Sequence, residues 1–447
     1  MNAVTTRTCN RIVARYHQSE QIYRTIMDKN SKLYVILGQS ILYYGGAQIY
    51  YINKKKYLEK LGWTVKIFSF HTVGPIIYSE FNAYRDLIIP ELSLPLYYFT
   101  ASARSRLLGK IESYMDAGSY NEIVIESNWI GSAEWGELLA SRLKARHVIY
   151  LLSETNQADL SLDFLKYKLD RGELSGISDH VIRSLFQDEN EVREDLIHPI
   201  LAGSFCLSSP SEKEDQVLSN LLYRKLDYTI SYYGRIEKLS CKTLSEICDF
   251  VKSIKKDVLF IGLGYNNTQE LARFEEIVGG APDNMRIEFV PAMVNVPKSF
   301  FELSDVIIAS AGCARVAAQQ KAFTITVDTE KDDPIGILGI TTSYTTSNPN
   351  PTNASLQGLL KDILIQNNYR KDDIDISEYE AAREKAVEEF IKFIEPKNEK
   401  TYYDFENRVV MKAFNYFTIR MFVFRLLGFE VVAKLRTIKR KLQKYGK

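Results

Sequence analysis

Residues 228–238, YTISYYGRIEK, join a buried apolar strand to a glycine and then to a basic loop. A similar segment begins with the apolar run 33–37 and continues through Gly38 and 45–47 into a helix that starts at Gln48. Glycines after a buried strand let the backbone approach a ligand, and the next helix points its amide-rich N-terminus toward that ligand. The two segments predict two doubly wound halves with a nucleotide held between them.

The composition fits a large globular protein. The chain has 447 residues, of which 45% are hydrophobic and 12% aromatic, enough for two cores plus appendages. This excludes a disordered or fibrous protein. The five cysteines, at positions 9, 206, 241, 248 and 313, form no C-x-x-C pair and are odd in number. They favour a reducing compartment, and with no hydrophobic signal segment before residue 33 we expect a cytoplasmic protein.

The first half of the chain alternates between strand and helix patterns. A polar N-terminal helix over 1–31 precedes a first domain over 32–207. The predicted strands are 33–37, 65–70, 123–125, 147–152 and 181–185, and the predicted helices are 48–61, 103–117, 133–144 and 188–194. Such alternation indicates a parallel sheet covered on both faces.

The second half repeats this pattern after a polar linker at 208–216. The second domain runs over 217–376 and is closed by a charged helix at 377–395. Its predicted strands are 228–233, 258–261, 287–290, 306–309 and 323–327. The glycine- and threonine-containing run 328–342 has two equally good interpretations, a wall of the nucleotide pocket or a surface loop.

The C-terminal tail, 396–447, concentrates positive charge. Residues 412–447 hold ten Lys or Arg and one acidic residue, Glu430, so they carry +9 while the whole chain carries +1. Apolar residues recur there every three or four positions, which predicts an amphipathic helix with a basic face. Arg420 and Arg425 interrupt the apolar stretch too early for a membrane span. The helix either lies in an anionic membrane surface or packs on the body with solvated charges.

Four motifs in order give the chain a family resemblance over 32–395. They are Gly45-Gly46-Ala47-Gln48, Tyr233-Gly234-Arg235-Ile236-Glu237-Lys238, Ile261-Gly262-Leu263-Gly264, and the segment from Leu303 to Ser310. Together they resemble GT-B glycosyltransferases of the retaining, family 4-like class, which includes capsule and lipopolysaccharide enzymes. The resemblance implies an α/β fold with two Rossmann-like domains facing a cleft, the first for the acceptor and the second for a nucleotide-sugar donor.

Chemistry and resemblance together predict the donor site. Negative charge develops on the departing phosphates, so a cation is needed there, and we expect Arg235 and Lys238 to supply it without a metal or cofactor. Lys242 is a substitute for Lys238. The residues expected to bind the donor are Gly45, Gly46, Gly234, Arg235, Lys238, Gly262, Gly264, Ser310, Ala311, Gly312, Cys313 and Arg315.

The first domain offers candidates for a general base at its strand ends. They are Glu126, Asn128, Glu154 and His71, and Glu154 is preferred as the catalytic residue because it follows the strand 147–152. Each of them could equally be a cap or an ion-pair partner. In a retaining front-face reaction the donor phosphate itself can take the acceptor proton, so that no base is required.

The sequence departs from the family at one position. Members often carry a glutamate after the last donor loop, to hold the ribose, where this chain has Ala317 and Ala318. Gln319 or Gln320 could substitute for that glutamate.

The sequence therefore predicts a peripheral membrane glycosyltransferase that moves a sugar to a lipid-linked oligosaccharide or polysaccharide at the cytoplasmic face. Two alternatives stay open, a sugar-nucleotide epimerase and a non-catalytic partner subunit. A nucleic-acid partner is not expected, because the positive charge lies on one terminal helix.

Overall fold

The computed structural model describes most of the two domains. The described residues are 31–42, 45–72, 74–152, 162–186, 194–200, 226–265, 267–293, 296–328, 331–345, 355–395, 401–405, 422, 425–428 and 431–432. The chain divides into two compact units. Unit 1 comprises residues 1–42, 50–205 and 386–447, and unit 2 comprises residues 43–49 and 206–385. The predicted helix 1–31 and the linker 208–216 lie outside the described residues.

Unit 1 is built on a five-stranded sheet in the order β2-β1-β3-β4-β5. The strands are β1 (Lys32–Gly38), β2 (Trp63–Ser69), β3 (Glu122–Ser127), β4 (Arg146–Leu151) and β5 (Leu174–Gly176). All neighbouring strands are parallel. Residues 33–37 of β1, an interior strand, are almost completely buried, as expected for an apolar strand covered on both faces.

Helices and short 3-10 turns connect these strands. The helices are α1 (Gly46–Lys60), α2 (Ala101–Met115), α3 (Ile130–Leu143), α4 (Leu162–Asp170) and α5 (Asp179–Arg183). The N-cap residue of helix α2 is Thr100, whose hydroxyl accepts a hydrogen bond from the Ala103 amide at 3.2 Å. Helix α3 is buried along most of its length, so it packs as a core helix.

The prediction of a strand at 181–185 is wrong. Helix α5 occupies most of this segment and has Ser178 as its N-cap residue, while the fifth strand is β5, a few residues earlier. Val181, Ile182 and Leu185 are buried at a spacing that one face of a helix provides. A short apolar run does not by itself distinguish a strand from a buried helix. Most of the predicted helix 188–194 lies outside the described residues.

Unit 2 contains a six-stranded sheet in the order β11-β10-β9-β6-β7-β8. The strands are β6 (Tyr228–Tyr233), β7 (Val258–Tyr265), β8 (Met285–Pro291), β9 (Val306–Ala309), β10 (Thr324–Val327) and β11 (Pro334–Ile337). All pairs are parallel except β10 with β11, which form an antiparallel hairpin. The run 328–342 therefore includes a strand that the sequence did not predict.

The helices of unit 2 are α6 (Cys241–Ser253), α7 (Glu275–Gly279), α8 (Lys298–Leu303), α9 (Ala311–Gln319) and α10 (Leu356–Leu364). A last helix, α11 (Ser377–Ile394), matches the predicted closing helix, and its residues from Ala386 onward belong to unit 1. The expected α/β class with two Rossmann-like units is confirmed by these sheets.

Part of the basic tail is described and packs on unit 1. Val432 is buried against Leu94 and Tyr98, and the Arg425 guanidinium donates a hydrogen bond to the Tyr97 carbonyl at 2.8 Å. The tail exposes the apolar side chains of Phe422, Leu426, Leu427 and Val431. Among the helices of the described residues, none is both long and apolar enough to span a bilayer.

Candidate functional site

The strand order of unit 2 creates a switch point between β6 and β9. From β6 the chain proceeds to β7 on one side, while from β9 it proceeds to β10 on the other, and β6 and β9 are themselves neighbours. The loops that leave the carboxyl ends of these two strands therefore diverge. In open α/β sheets, the crevice at such a point is where ligands bind.

A small depression lies at this switch point. Its wall includes Tyr232, Lys238, Ser240, Ser310, Asp328 and Asp332. Lys238 comes from the loop after β6, and Ser310 directly follows β9. The fold thus brings together two of the residues that the sequence singled out for the donor phosphates. Both aspartates belong to the β10–β11 turn. This turn is part of the run 328–342, for which the sequence offered two interpretations.

Arg273 fixes the loop that carries Lys238. Its guanidinium donates hydrogen bonds to the carbonyl of Ile236 and, at 2.6 Å, to that of Leu239, and it packs over the Phe274 ring. Two carbonyls on either side of Lys238 are therefore held by one rigid side chain. No sequence pattern indicates this role, because Arg273 is more than thirty residues from the loop.

Arg235 lies at the edge of the same loop, where it begins the 3-10 turn Ile236–Lys238. Its guanidinium forms an ion pair with Glu237 at 2.7 Å, and the two side chains are 43% and 46% exposed. Such an exposed pair stabilises a protein by at most about 1 kcal/mol, so a phosphate can displace Glu237 at little cost. Arg235 is not among the residues that form the wall of the depression.

Lys242, the alternative lysine, is engaged by a different partner. Its ammonium lies 2.7 Å from the carboxylate of Asp333 on the β10–β11 turn. This hydrogen bond raises the pKa of Lys242. Lys238 lines the depression and Lys242 does not.

Two glycines of the predicted loops are required by protein packing. A Cβ on Gly264, whose φ is +132°, would lie 1.8 Å from the carbonyl oxygen of Gly234. A Cβ on Gly262 would lie 2.5 Å from the Phe289 ring. The close approach of β7 to its neighbours therefore explains why both positions are occupied by glycine. A contact with a ligand stays a prediction for both.

The N-terminus of α9 borders the depression. Ser310 is its N-cap residue, and the Ser310 hydroxyl makes no capping hydrogen bond. Ala311 has a left-handed φ of +50°, and its amide donates to the Thr345 carbonyl at 2.8 Å. Gly312 is exposed, with open space where a side chain would be. The first turn of α9 therefore has room for a ligand beside its amides.

The remaining predicted residues of α9 make contacts within unit 2. Burial raises the pKa of the Cys313 thiol to about 11, so the thiol is protonated at neutral pH and is a poor nucleophile. The Arg315 guanidinium stacks over the Tyr379 ring at 4.7 Å. Ala317 and Ala318, which stand where the family often has a glutamate, are fully buried in the core.

The first glycine loop leads into α1. The Gly45 carbonyl accepts a hydrogen bond from the Ile49 amide at 3.1 Å, and a Cβ on Gly46 would meet nothing within 4 Å. At the end of β1, the space beside Gly38 is filled by the Tyr51 phenol, 2.6 Å from where a Cβ would be. Gly38 is therefore needed for the packing of α1 on the sheet.

Glu126, a candidate base, belongs to the core instead. Its carboxylate is completely buried, forms an ion pair with Lys54, and accepts hydrogen bonds from Tyr34, Tyr50 and Asn128. Burial lowers the pKa of Lys54 to about 8, although the carboxylate opposes this shift. A carboxylate so enclosed cannot reach an acceptor, and the hypothesis that it acts as a base is wrong.

The other base candidates have different outcomes. The Asn128 amide is buried and donates to Glu126 and to the Tyr150 carbonyl, so it too is structural. His71 is exposed at the end of β2. Glu154, the preferred base, lies outside the described residues and stays a prediction.

A second buried network has the atom order of a nucleophilic triad. The Ser127 hydroxyl lies 3.0 Å from His147 Nε2, and His147 Nδ1 lies 2.8 Å from Glu137. All three residues are at most 2% exposed, so no substrate can reach the hydroxyl. Burial lowers the pKa of His147, which keeps the ring neutral. This arrangement holds α3 against β3 and β4.

Comparisons with known proteins give only distant structural likenesses. No protein-family profile matches the chain, and no curated protein matches it. HepE from Anabaena, solved with UDP and glucose, aligns at 12% identity and a TM-score of 0.47, covering 82% of this chain and 97% of that one. A putative UDP-N-acetylglucosamine 2-epimerase from Listeria monocytogenes aligns at 12% identity and a TM-score of 0.43, covering 83% and 99%. The lipopolysaccharide outer core galactosyltransferase WaaB aligns at 11% identity and a TM-score of 0.44, covering 80% and 99%.

Proposed function

We propose that this chain is a glycosyltransferase of the retaining, family 4-like class, which needs no metal to transfer a sugar from a nucleotide donor. The observation that carries the proposal is the meeting of Lys238 and Ser310 at the β6–β9 switch point of unit 2. One contributes a cation, and the other opens a helix whose first turn borders open space beside Gly312. This combination suits a diphosphate.

In the proposed reaction, an acceptor hydroxyl bonds to the anomeric carbon of the sugar as the bond between the sugar and the diphosphate breaks. The acceptor proton passes to the departing phosphate, and negative charge accumulates on the phosphate oxygens. The Lys238 ammonium stabilises that charge as a point cation, and amides at the start of α9 donate hydrogen bonds to the same oxygens. Arg235 exchanges Glu237 for a phosphate oxygen and adds a second cation. Arg273 positions the loop through its two carbonyl contacts.

The acceptor in this proposal is a lipid-linked oligosaccharide or polysaccharide at the cytoplasmic face of a membrane. The support is the tail, which carries +9 over 412–447 and exposes Phe422 and Leu426. An exposed apolar face with surrounding basic residues suits an anionic lipid surface. Binding there raises the local concentration of a lipid-linked acceptor.

Calorimetric titration with UDP, GDP, ADP and CMP tests the donor site. We expect one diphosphate to bind selectively, with affinity reduced about tenfold or more by Lys238→Ala and by Arg235→Ala. Lys256→Ala is the matched control, because Lys256 is an exposed lysine of unit 2 paired with Asp227. Absence of binding by all four nucleotides contradicts the proposal and favours a non-catalytic partner.

Product analysis separates transfer from epimerisation. The protein is incubated with the sugar form of the selected nucleotide, with and without a lipid-linked acceptor. Release of the nucleoside diphosphate only with acceptor supports transfer. A change in the sugar's configuration with the nucleotide still attached identifies an epimerase.

Vesicle flotation tests whether the basic tail binds an anionic membrane surface. The intact protein should float with anionic vesicles, and deletion of 412–447 should abolish flotation while the selected diphosphate still binds. Equal partitioning of both forms contradicts a membrane role for the tail.

A further inference from the structure

Strand β8, Met285–Pro291, forms one edge of the unit 2 sheet. Its inner side pairs with β7 in parallel register, and among the described residues no other strand pairs with its outer side. The opposite edge, β11, is blunted because it has only four residues and begins with a proline. β8 has seven residues and holds its proline at the last position, so it offers a longer edge for a further strand.

The hydrogen bonds to β7 show which backbone groups of β8 face outward. The Val258 amide donates to the Asn284 carbonyl at 2.9 Å, so residue 284 and every second residue after it turn their backbone groups toward β7. The Met285 carbonyl and the amides and carbonyls of Ile287 and Phe289 therefore point away from β7. No backbone hydrogen bond from another described element reaches Ile287 or Phe289, and both residues are only partly buried.

The residues on either side of Ile287 carry opposite charges. Arg286 and Glu288 form an ion pair on one face of the strand, and their side chains are 37% and 34% exposed. An exposed pair of this kind can exchange partners at little cost. When two copies of β8 run antiparallel with Ile287 opposite Ile287, each Arg286 lies opposite the Glu288 of the other copy. Centring the pairing on Met285 or Phe289 loses both matches.

We infer that β8 is a self-association surface, at which two copies of this chain join their unit 2 sheets antiparallel about a two-fold axis at Ile287. The Ile287 amide of each copy donates to the Ile287 carbonyl of the other, and the Phe289 amide donates to the Met285 carbonyl. Arg286 pairs with Glu288 of the other copy, an opposite-charge pair across neighbouring strands. Each contact occurs twice, as in any two-fold interface.

Charge favours a second copy as the partner of this edge. Charged residues on an edge strand commonly prevent self-association, because identical strands then place like charges together. The order of Arg286 and Glu288 about Ile287 reverses this effect, since the strand is its own electrostatic complement. A contact made by one strand edge buries less than about 1,200 Å², which is typical of weak interfaces. We therefore expect a dimer that forms as the protein concentration rises.

Sedimentation velocity of the full chain from about 1 µM to 1 mM tests the surface, because this is the range of weak complexes. We expect the unaltered protein to pass from monomer to dimer. Arg286→Glu places acidic side chains opposite one another, and Glu288→Arg does the same with basic ones. Each variant should need about tenfold more protein to dimerise, since both cross-strand pairs change from attractive to repulsive.

An equimolar mixture of Arg286→Glu and Glu288→Arg distinguishes pairing from a loss of structure. One variant strand is wholly acidic and the other wholly basic, so the mixture should associate at lower concentration than either variant alone. The double variant Arg286→Glu/Glu288→Arg should dimerise as the unaltered protein does. Lys252→Glu is the matched control, because it reverses an exposed charge on α6 that pairs with Asp249 at 3.5 Å. It should leave dimerisation unchanged.

Three results overturn the inference. The unaltered protein stays monomeric over the whole range, both single variants dimerise as it does, or their mixture associates no more than its components. Hydrogen exchange of the unaltered protein gives a check that needs no variant to fold. The Ile287 and Phe289 amides should exchange more slowly at high than at low protein concentration, and rates independent of concentration contradict the pairing.

Nucleotide titration separates this surface from the donor site. No residue of β8 lines the depression at the switch point, and β7 lies between β8 and β6. The nucleotide selected above should therefore bind Arg286→Glu and Glu288→Arg with unchanged affinity, and Lys238→Ala should dimerise as the unaltered protein does.

Discussion

The same strand-and-loop arrangement is packed closed in unit 1 and leaves a depression in unit 2. In unit 1, α1 packs onto the sheet so closely that the Tyr51 phenol fills the space beside Gly38, and Lys54 pairs with Glu126 in the interior. In unit 2, the corresponding loops leave a depression bordered by Lys238 and Ser310. Polar residues beside parallel strands can therefore be enclosed in the core, as Lys54 and Glu126 are, or line a depression, as Lys238 and Ser310 do.

The largest effect should come from breaking the buried ion pair of unit 1. Glu126→Gln leaves the Lys54 ammonium without its counter-ion in a fully buried position, and we expect a loss of about 3–5 kcal/mol in the free energy of unfolding. Urea unfolding followed by circular dichroism measures it. The double variant Lys54→Met/Glu126→Gln removes both charges but keeps an oxygen that can accept a hydrogen bond from Tyr34 or Tyr50, so it should lose less. A double variant as unstable as the single one would contradict this account.

The second buried network of unit 1 should make the free energy of unfolding depend on pH. Against the effect of burial, a hydrogen bond from His147 and the charge and hydrogen bond of Lys168 lower the pKa of Glu137 to about 2, below its ordinary value of 4.5. A carboxylate with a lowered pKa stabilises the folded state above the unfolded pKa, and this contribution is lost as the pH falls from 4.5 through 2. Glu137→Gln should cost about 3 kcal/mol at neutral pH and flatten the acid limb of the stability curve. An unchanged acid limb would show that other carboxylates dominate.

Alanine substitutions at two glycines of unit 2 should differ in their effect on stability. Gly264→Ala places a methyl group against the Gly234 carbonyl at a backbone angle that favours glycine, and we expect it to cost about 2 kcal/mol or more. Gly312→Ala is the control, because its side chain would enter open space and its cost should be below about 1 kcal/mol. Thermal unfolding compares the two. Equal stabilities would mean that β7 does not approach Gly234 as closely as described.

Substitution of Arg273 in unit 2 should have a smaller effect, and this effect should be on nucleotide affinity. Arg273→Lys keeps the charge but loses the planar fork that holds the carbonyls of Ile236 and Leu239. If the loop positions Lys238, nucleotide affinity should fall about tenfold. Calorimetry of the selected diphosphate measures this, and Arg286→Lys is the control, because Arg286 instead pairs with Glu288. Equal losses in both variants would remove the positioning role.

The smallest effect should come from the exposed pair beside the loop. Glu237→Gln should change the free energy of unfolding by less than about 0.5 kcal/mol, because the pair is nearly half exposed. Nucleotide affinity should rise about twofold, since Arg235 is released. A fall in affinity would mean that Glu237 holds Arg235 in its binding position.

The sequence predicts the elements that have long apolar runs. β1 and β9 contain continuous apolar runs, and β6 is interrupted only by the small polar residues Thr229 and Ser231. The predicted positions of all three strands agree with the structure to within a residue. The segment 181–185 and the strand β11 lack such long apolar runs, and their structure is not predicted correctly. The first is apolar but too short to reveal its period, and the second contains Pro334 and Gly336, which are unusual within strands.

The candidate site is predictable only where its residues follow strand ends. Lys238 and Ser310 come soon after β6 and β9, so the sheet brings them together. Glu126 also follows the strand pattern, but its partner Lys54 is 72 residues away, and sequence alone cannot show that the pair is buried. Arg273 is equally invisible, because its contacts depend on how β7 and the loop pack.

Unit 1 is discontinuous in the chain, and this has a consequence for its synthesis. The Phe390 ring lies 3.9 Å from the Lys54 ammonium, and the Tyr403 amide binds Glu137. Both come from the final segment of the chain, which leaves the ribosome after all of unit 2. A nascent chain that has emerged only to residue 385 therefore lacks the Phe390 ring that packs on Lys54 and the Tyr403 amide that donates to Glu137. The first unit to be synthesised is the last that can complete its core.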